Sequence, residues 1–255
     1  MISAKIGLIL FFSALALCEP AFVDTLPKCS IKDFECLRGL YQDMMTRSAD
    51  GIPEIGMAPT DPFILKNETV SVLDMVHITM VDGVAKGVKN CIINKVRPDL
   101  DTKNFTMDFT CDWVIKGKYK VTSEPAAKEW LGGEVKGEGY GKVEIEKLRI
   151  KAGFEFFVRK DNGEVYLDYS YHGMKFAYQF GGIRLHTQND FLYIGDQELS
   201  KQVISIFNDN WKFFISTFGR PFVLKGMDFF FNFTHIFYDN VPAKHFIIED
   251  LSSYL

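Results

Sequence analysis

The stretch Leu148-Arg149-Ile150-Lys151-Ala152-Gly153-Phe154-Glu155-Phe156-Phe157-Val158-Arg159 decides the fold. Leu148, Ile150, Ala152, Phe154, Phe156 and Val158 fall on every second position, with Arg149, Lys151, Gly153 and Glu155 between them. Successive side chains on a strand point to opposite faces, so this pattern predicts a strand with one buried face and one wet face. Asp161-Asn162-Gly163 follows, a turn sequence suited to a tight hairpin. Residues 164–180 then return with Met174, Phe176, Tyr178 and Phe180 alternating. Strands of this length exceed the usual five or six residues, and long antiparallel strands with one apolar face usually curl around something. From residue 64 to about residue 188 the pattern remains that of strands.

What the sheet curls around is expected in the last quarter of the chain. Leu199, Val203, Phe207, Trp211, Phe214, Phe218 and Phe222 recur at steps of three and four, the spacing of one helix face. Ile206, Ile215, Phe229, Phe230, Phe231, Phe233, Ile236 and Phe237 widen the stripe, which predicts a helix buried nearly all round. Gly219 and Pro221 are expected to kink it or to end its first half. No run reaches about 18 uninterrupted apolar residues, so no membrane-spanning helix is expected. The expected fold class is α+β, a long buried helix wrapped by a highly curved antiparallel sheet.

The chain has 255 residues, 47% of them hydrophobic and 24% charged, a composition that excludes a disordered protein. Its formal net charge of -4 offers no bulk attraction for nucleic acid, which is not expected as a partner. Twenty-four Phe give it apolar surface beyond ordinary core needs. Residues 1–18 have a basic start at Lys5, an apolar run over 6–17, and small residues at Ala14 and Ala16. This layout predicts a secretory signal peptide cut after Cys18, leaving 19–255 as a single domain in an extracellular fluid.

Of the five cysteines, Cys18 falls in the leader, leaving Cys29, Cys36, Cys91 and Cys111. An even number in an oxidising compartment suggests two disulfides in one of three connectivities. The local pairs, Cys29 with Cys36 and Cys91 with Cys111, are the expectation; two buried thiols are the alternative. A continuous helix of seven residues would part the first pair by about 10.5 Å, so the chain must bend between them, with a helix starting near Asp33. Phe34, Leu37, Leu40, Tyr41, Met44 and Met45 then mark a short amphipathic helix over about 33–48. Three glycosylation sequons begin at Asn67, Asn104 and Asn232. The first two are expected to carry sugar, and the third, inside a run of Phe, to be buried.

No nucleophile elbow, paired-cysteine motif or zinc-binding helix is present, so no catalytic residue, metal or cofactor is expected. The five histidines are scattered and read as surface or hydrogen-bonded side chains. Gly137-Glu138-Gly139-Tyr140-Gly141 reads as a loop and bulge before a strand. What remains is an apolar interior suited to a small ligand. Phe207, Trp211, Phe214 and Phe218 on the helix, with Phe154, Phe156, Phe176, Tyr178 and Phe180 on the hairpin, are expected to line it. Tyr140 or Tyr178 is the expected polar anchor.

Several fragments carry a family resemblance: Lys28-Cys29 with Glu35-Cys36-Leu37, Gly51-Ile52-Pro53-Glu54-Ile55-Gly56, Pro59-Thr60-Asp61-Pro62-Phe63, Gly117-Lys118-Tyr119 and Asn208-Asp209-Asn210-Trp211. Together they resemble the insect haemolymph juvenile-hormone-binding and takeout family of the tubular lipid-binding superfamily, over about residues 28–246. The resemblance implies a helix inside a wrapped sheet, an apolar tunnel, no catalysis, and carriage of a terpenoid, juvenile-hormone-like molecule or fatty acid. It also implies that Cys29 and Cys36 form the family's amino-terminal disulfide. No cysteine follows Cys111, which places the resemblance nearer the takeout branch, where ligands are more varied. The alternative function is a lipid-sensing or interaction module acting at a membrane surface or an unknown receptor, with residues 226–237 as the docking patch if they are exposed.

Overall fold

The structure, a computed structural model, describes residues 21–255; the expected leader, 1–18, lies outside the described residues. Helix α1 (Phe34–Arg47) comes first, then strands β1 (Phe63–Val72), β2 (Val76–Lys86), β3 (Ile92–Asp99) and β4 (Asn104–Ser123). A short α2 (Ala127–Leu131) leads to β5 (Val135–Asp161), β6 (Glu164–Gln179), β7 (Gly182–Ile194) and β8 (Gln197–Glu198). Helices α3 (Ser200–Asp209), α4 (Trp211–Phe218) and α5 (Arg220–Asn240) follow.

Helix α1 begins where its capping residue dictates: the Asp33 carboxylate accepts the N–H of Cys36 at 3.0 Å. The bend just before it brings the Cα atoms of Cys29 and Cys36 to 5.6 Å, and the two are bonded. Cys91 and Cys111 form the second disulfide, joining the start of β3 to the middle of β4. The helix buries Leu37, Leu40, Tyr41 and Met45. Its Gln42 side chain holds the edge of β3, donating to the carbonyl of Cys91 at 2.9 Å and accepting from the N–H of Ile93 at 2.8 Å.

All eight strands join one antiparallel sheet built on two long central strands, β4 of 20 residues and β5 of 27. These pair along almost their whole length, while their outer neighbours change midway. At one end the order is β3-β4-β5-β6; at the other it is β1-β2-β4-β5-β7-β8. The change falls at a waist where both central strands are irregular. β4 shifts register at Asp112, and β5 has Lys147 at φ 48°, with the Lys147 N–H donating to Asp112 Oδ1 at 2.6 Å. There the inward parity of β5 changes, from Ile145 and its odd-numbered neighbours to Leu148 and the even ones.

The hairpin turns at Asn162 (φ 47°) and Gly163 (φ 87°), with Asp161 opposite Glu164, as the Asn-Gly signal requires. The sequence 137–141, expected as a loop and bulge before a strand, carries the bulge, a register shift between Glu138 and Tyr140, but lies in continuous strand inside β5 and not in a loop. Its glycines serve close packing: a Cβ on Gly137 would lie 2.7 Å from Leu192 Cδ1, and one on Gly141 3.1 Å from the Tyr119 ring.

The carboxy-terminal apolar stripe is divided into three helices rather than one. Asn210 leaves helical geometry at φ -124°, ψ 25°, and Pro221 supplies no N–H to continue α4 into α5. A Cβ on Gly219 would sit 2.4 Å from the Ile215 carbonyl, so this second junction needs glycine. Helix α5 is the long helix on which the sheet packs, burying Val223, Met227, Phe231, Phe237 and Tyr238. It also has an open stripe of Asp228, Asn232 and Asp239, so Asn232 is exposed and not buried among the Phe residues as expected.

Candidate functional site

The two ends of the sheet are filled differently. At the four-strand end the inner face is packed solid. Phe105 stacks on Phe154 with ring centroids 4.9 Å apart and meets Phe156 at 5.1 Å, while Phe231 of α5 meets Phe154 and Tyr169 at 5.2 Å. Burial of each such ring stabilises the fold by roughly 1.5–3 kcal/mol. The hydroxyls here are satisfied. Tyr41 and Tyr238 bond each other, and Tyr169 donates to the carbonyl of Phe231 at 2.5 Å. Burial pushes all three phenols above their ordinary pKa, so they remain neutral donors.

At the six-strand end the inner face is apolar but open. Cross-strand partners share a face, so Ile115, Gly117, Tyr119 and Val121 of β4 define a floor. It continues through Ala85, Gly83, Met80 and Ile78 of β2 and through Val143, Gly141, Gly139 and Gly137 of β5. Val70 of β1 and Leu185 of β7 extend it to either side. Ile78, Met80, Ile115, Val121, Val143 and Leu185 are only half buried, whereas Phe105, Ile150, Phe156 and Leu167 at the other end are almost fully covered. The same residue types therefore form a closed core at one end and a water-accessible apolar concavity at the other.

The three carboxy-terminal helices span this concavity between its two edges. On the β7 side, the Asn208 amide of α3 accepts from the Leu185 N–H at 2.8 Å and donates to its carbonyl at 2.9 Å. On the β1 side, Lys225 of α5 pairs with Glu68 at 2.7 Å, and Phe63 packs on Phe229 and Phe233 at 4.6 and 5.5 Å. Between them, Phe207, Phe214 and Phe218 form a half-buried row with centroids 5.6 and 6.4 Å apart. Trp211 is half buried as well.

The other residues expected from sequence divide into three groups. Phe176 and Tyr178 face inward, opposite Ala152 and Ile150, and with Phe180 remain half buried. The Tyr178 hydroxyl donates to the Ile215 carbonyl at 3.4 Å, and the Arg220 guanidinium lies over the Phe176 ring at 4.5 Å. Phe176 and Tyr178 belong to β6 and Phe180 follows it, at the four-strand end, and the Tyr178 and Arg220 contacts set them beside the junction of α4 and α5. Phe154 and Phe156 do not line the open region: they are 8% and 1% exposed inside the closed core. Tyr140 does not either. It shares the outward parity of Glu138 and Lys142 and is 45% exposed, because period two carries it away from the glycine face.

Sequence reading missed the floor supplied by β1, β2 and the second half of β4. A signal was present in the period-two glycines at 137, 139 and 141, which leave an inward strand face without side chains. Phe229, Phe230 and Phe231 are not an exposed patch: Phe231 is buried, and Phe230 stacks on Phe109 at 5.3 Å. Two recesses, of about 580 and 500 Å³, lie one beside α1 and β3 and the other over β4, β5 and β6, the latter lined in part by Phe176. The first is lined by Lys32, Asp33, Glu35 and Arg97 with Phe34 and Val96, the second by Lys95, Asp108, Lys151 and Lys175 with Met107, Ala152 and Phe176, so both mix charged and apolar side chains. Among the histidines, His77 bonds Ser71 and Glu124, His186 bonds Glu144, and His235 stacks on Tyr169.

A curled antiparallel sheet bridged by helices over an apolar concavity defines a binding protein for hydrophobic molecules. The family model for haemolymph juvenile hormone binding protein (JHBP) matches residues 7–248, and the chain belongs to that family of non-enzymatic binding proteins. The crystal structure of Epiphyas postvittana Takeout 1 is similar in fold, with a TM-score of 0.70 and 24% sequence identity, covering 86% of this chain and 98% of that one. A search of curated proteins finds no match. No described helix is long and apolar enough to cross a membrane.

Proposed function

We propose that this protein is a secreted carrier that encloses one lipophilic small molecule, of terpenoid, juvenile-hormone-like or fatty-acid type, at the six-strand end of its sheet. The observation that carries this reading is the half-buried apolar floor of Ile78, Ile115, Val121 and Val143 beneath a helical row of Phe207, Phe214 and Phe218. Apolar surface left open inside a fold is surface a ligand can cover. Trp211 belongs to the same proposed wall, and Phe176, Tyr178 and Phe180 extend it at the junction of α4 and α5. Residues 1–18 are proposed as the leader and 19–255 as the single secreted domain, in haemolymph or another body fluid, with sugar on Asn67 and Asn104, both exposed.

A ligand with about 400 Å² of apolar surface gains roughly 10 kcal/mol on full enclosure. Lost translational freedom and ordering offset at least about 4 kcal/mol. The remaining 6 kcal/mol or less corresponds to a dissociation constant of tens of micromolar or weaker from burial alone. Displacement of an apolar fluorescent probe from delipidated protein by long-chain lipids tests the reading. Mass spectrometry of lipid extracted from native protein identifies the occupant. No uptake of any apolar ligand at up to about 1 mM, roughly ten times a 100 μM constant, overturns it. The membrane-docking alternative loses the patch it required, since residues 229–231 are packed against β1, β4 and β6.

A further inference from the structure

Trp113 stands at the waist, where the open and closed ends meet. It is the first residue of β4 beyond the register shift at Asp112, and it pairs with Ile145 on the inner face. Its indole lies between two glycines: a Cβ on Gly87 would be 3.2 Å from Cδ1, and one on Gly226 of α5 would be 3.5 Å from Cζ3. The side chain as a whole is half buried and packs beside the core, as Ile115 and Val143 do. Its Nε1, however, is buried and has no hydrogen-bond partner, the only side-chain nitrogen or oxygen among the described residues in that condition. Buried indole N–H groups normally find an acceptor, and an unpaired one destabilises the fold that holds it.

We propose that the Trp113 N–H is the donor for an acceptor oxygen brought by the ligand, so that the site selects lipophilic molecules bearing a carbonyl, ester or ether oxygen over hydrocarbons of equal length. This rests on the carrier reading above. An indole N–H only donates, so the ligand need supply no proton of its own. The oxygen sits at the waist, where the closed core stops further entry, and the apolar chain runs from there along β4 and β5 over Ile115, Val143 and Val121. Because Nε1 is covered, the ring turns slightly as the oxygen arrives, into the methyl-sized space that Gly226 leaves beside it. The other polar groups near the wall are already held, Lys225 by Glu68 and the Tyr178 hydroxyl by the Ile215 carbonyl.

Methyl laurate and tridecane, matched in carbon number, are titrated against delipidated wild type and Trp113→Phe by displacement of an apolar fluorescent probe. The expected result is that wild type prefers the ester by roughly three- to tenfold, the size of one net hydrogen bond. Trp113→Phe removes that preference: the ratio of ester to alkane affinity falls to about one, whatever the smaller ring does to both ligands alike. In ¹⁵N-labelled wild type, the Trp113 indole N–H resonance moves downfield with the ester and not with the alkane. That measurement needs no variant and decides the matter if Trp113→Phe fails to fold. Binding of both ligands with an unmoved indole resonance, or with the ester preference intact in Trp113→Phe, overturns this inference and leaves the carrier reading standing. Failure of both ligands to bind wild type overturns the carrier reading itself, and this inference with it.

Discussion

The side-chain amide of Asn208 bonds both main-chain groups of Leu185, accepting its N–H at 2.8 Å and donating to its carbonyl at 2.9 Å. It takes the place a neighbouring strand would take and ties α3 to β7. Gln42 makes the corresponding contact from α1 to Cys91 and Ile93 of β3. A side-chain amide carries one acceptor and two donors, so one residue can satisfy a strand edge that otherwise faces water or another chain.

Asn208→Ala is expected to destabilise the protein by about 1–3 kcal/mol, because two main-chain groups lose partners in a part-buried setting. Hydrogen exchange at Leu185 and along 200–209 should speed up, while the four-strand end keeps its protection. Asp209→Ala, at an exposed position one residue on, should fall within about 0.5 kcal/mol of wild type. Equal effects from the two changes would show that the clasp does not hold α3.

Reduction of the disulfides should lower the unfolding midpoint. The Cys91–Cys111 bridge spans 20 residues, worth roughly 3 kcal/mol in the chain-entropy picture. Thiol titration of the denatured, unreduced mature protein is expected to find essentially no free thiol; four would refute both pairings.

Phe154→Asp should cost several kcal/mol, since it buries an unpaired charge among Phe105, Tyr169 and Phe231. Glu155→Lys, on the exposed face one residue away, should cost within about 0.5 kcal/mol. Chemical denaturation of the two variants separates the faces of β5.

The Tyr41–Tyr238 pair makes a prediction about alkali. Both phenols are raised by burial, so the folded state keeps its protons at a pH where the unfolded chain begins to lose them, near about 10. The stability they contribute is fully present below about pH 10 and falls as pH rises above it. Tyr41→Phe strands the Tyr238 hydroxyl and should cost about 1–3 kcal/mol. The double change to Phe should restore much of that loss, because no buried hydroxyl is left unpaired. A double variant no better than the single one would show that the bond itself, and not the stranded partner, carries the effect.

Local pattern determined much of this protein. The alternation from Leu148 to Val158 specified a strand with its correct inward face, Asn162-Gly163 its turn, and Asp33 with the paired cysteines the start of α1. These features follow from a few neighbouring residues and need no knowledge of what lies across the fold. The division of α3, α4 and α5, the inversion of parity at Lys147, and the placing of Phe154 and Phe156 in core were decided by contacts distant in sequence. An apolar residue at the right period announces that it faces inward, and says nothing of whether a helix covers it. At the four-strand end α1 and α5 fill the curl; at the six-strand end the sheet is wider than the helices that bridge it. Whether Ile78 and Val143 become packed core or open wall depends on that width, which only the assembled sheet possesses.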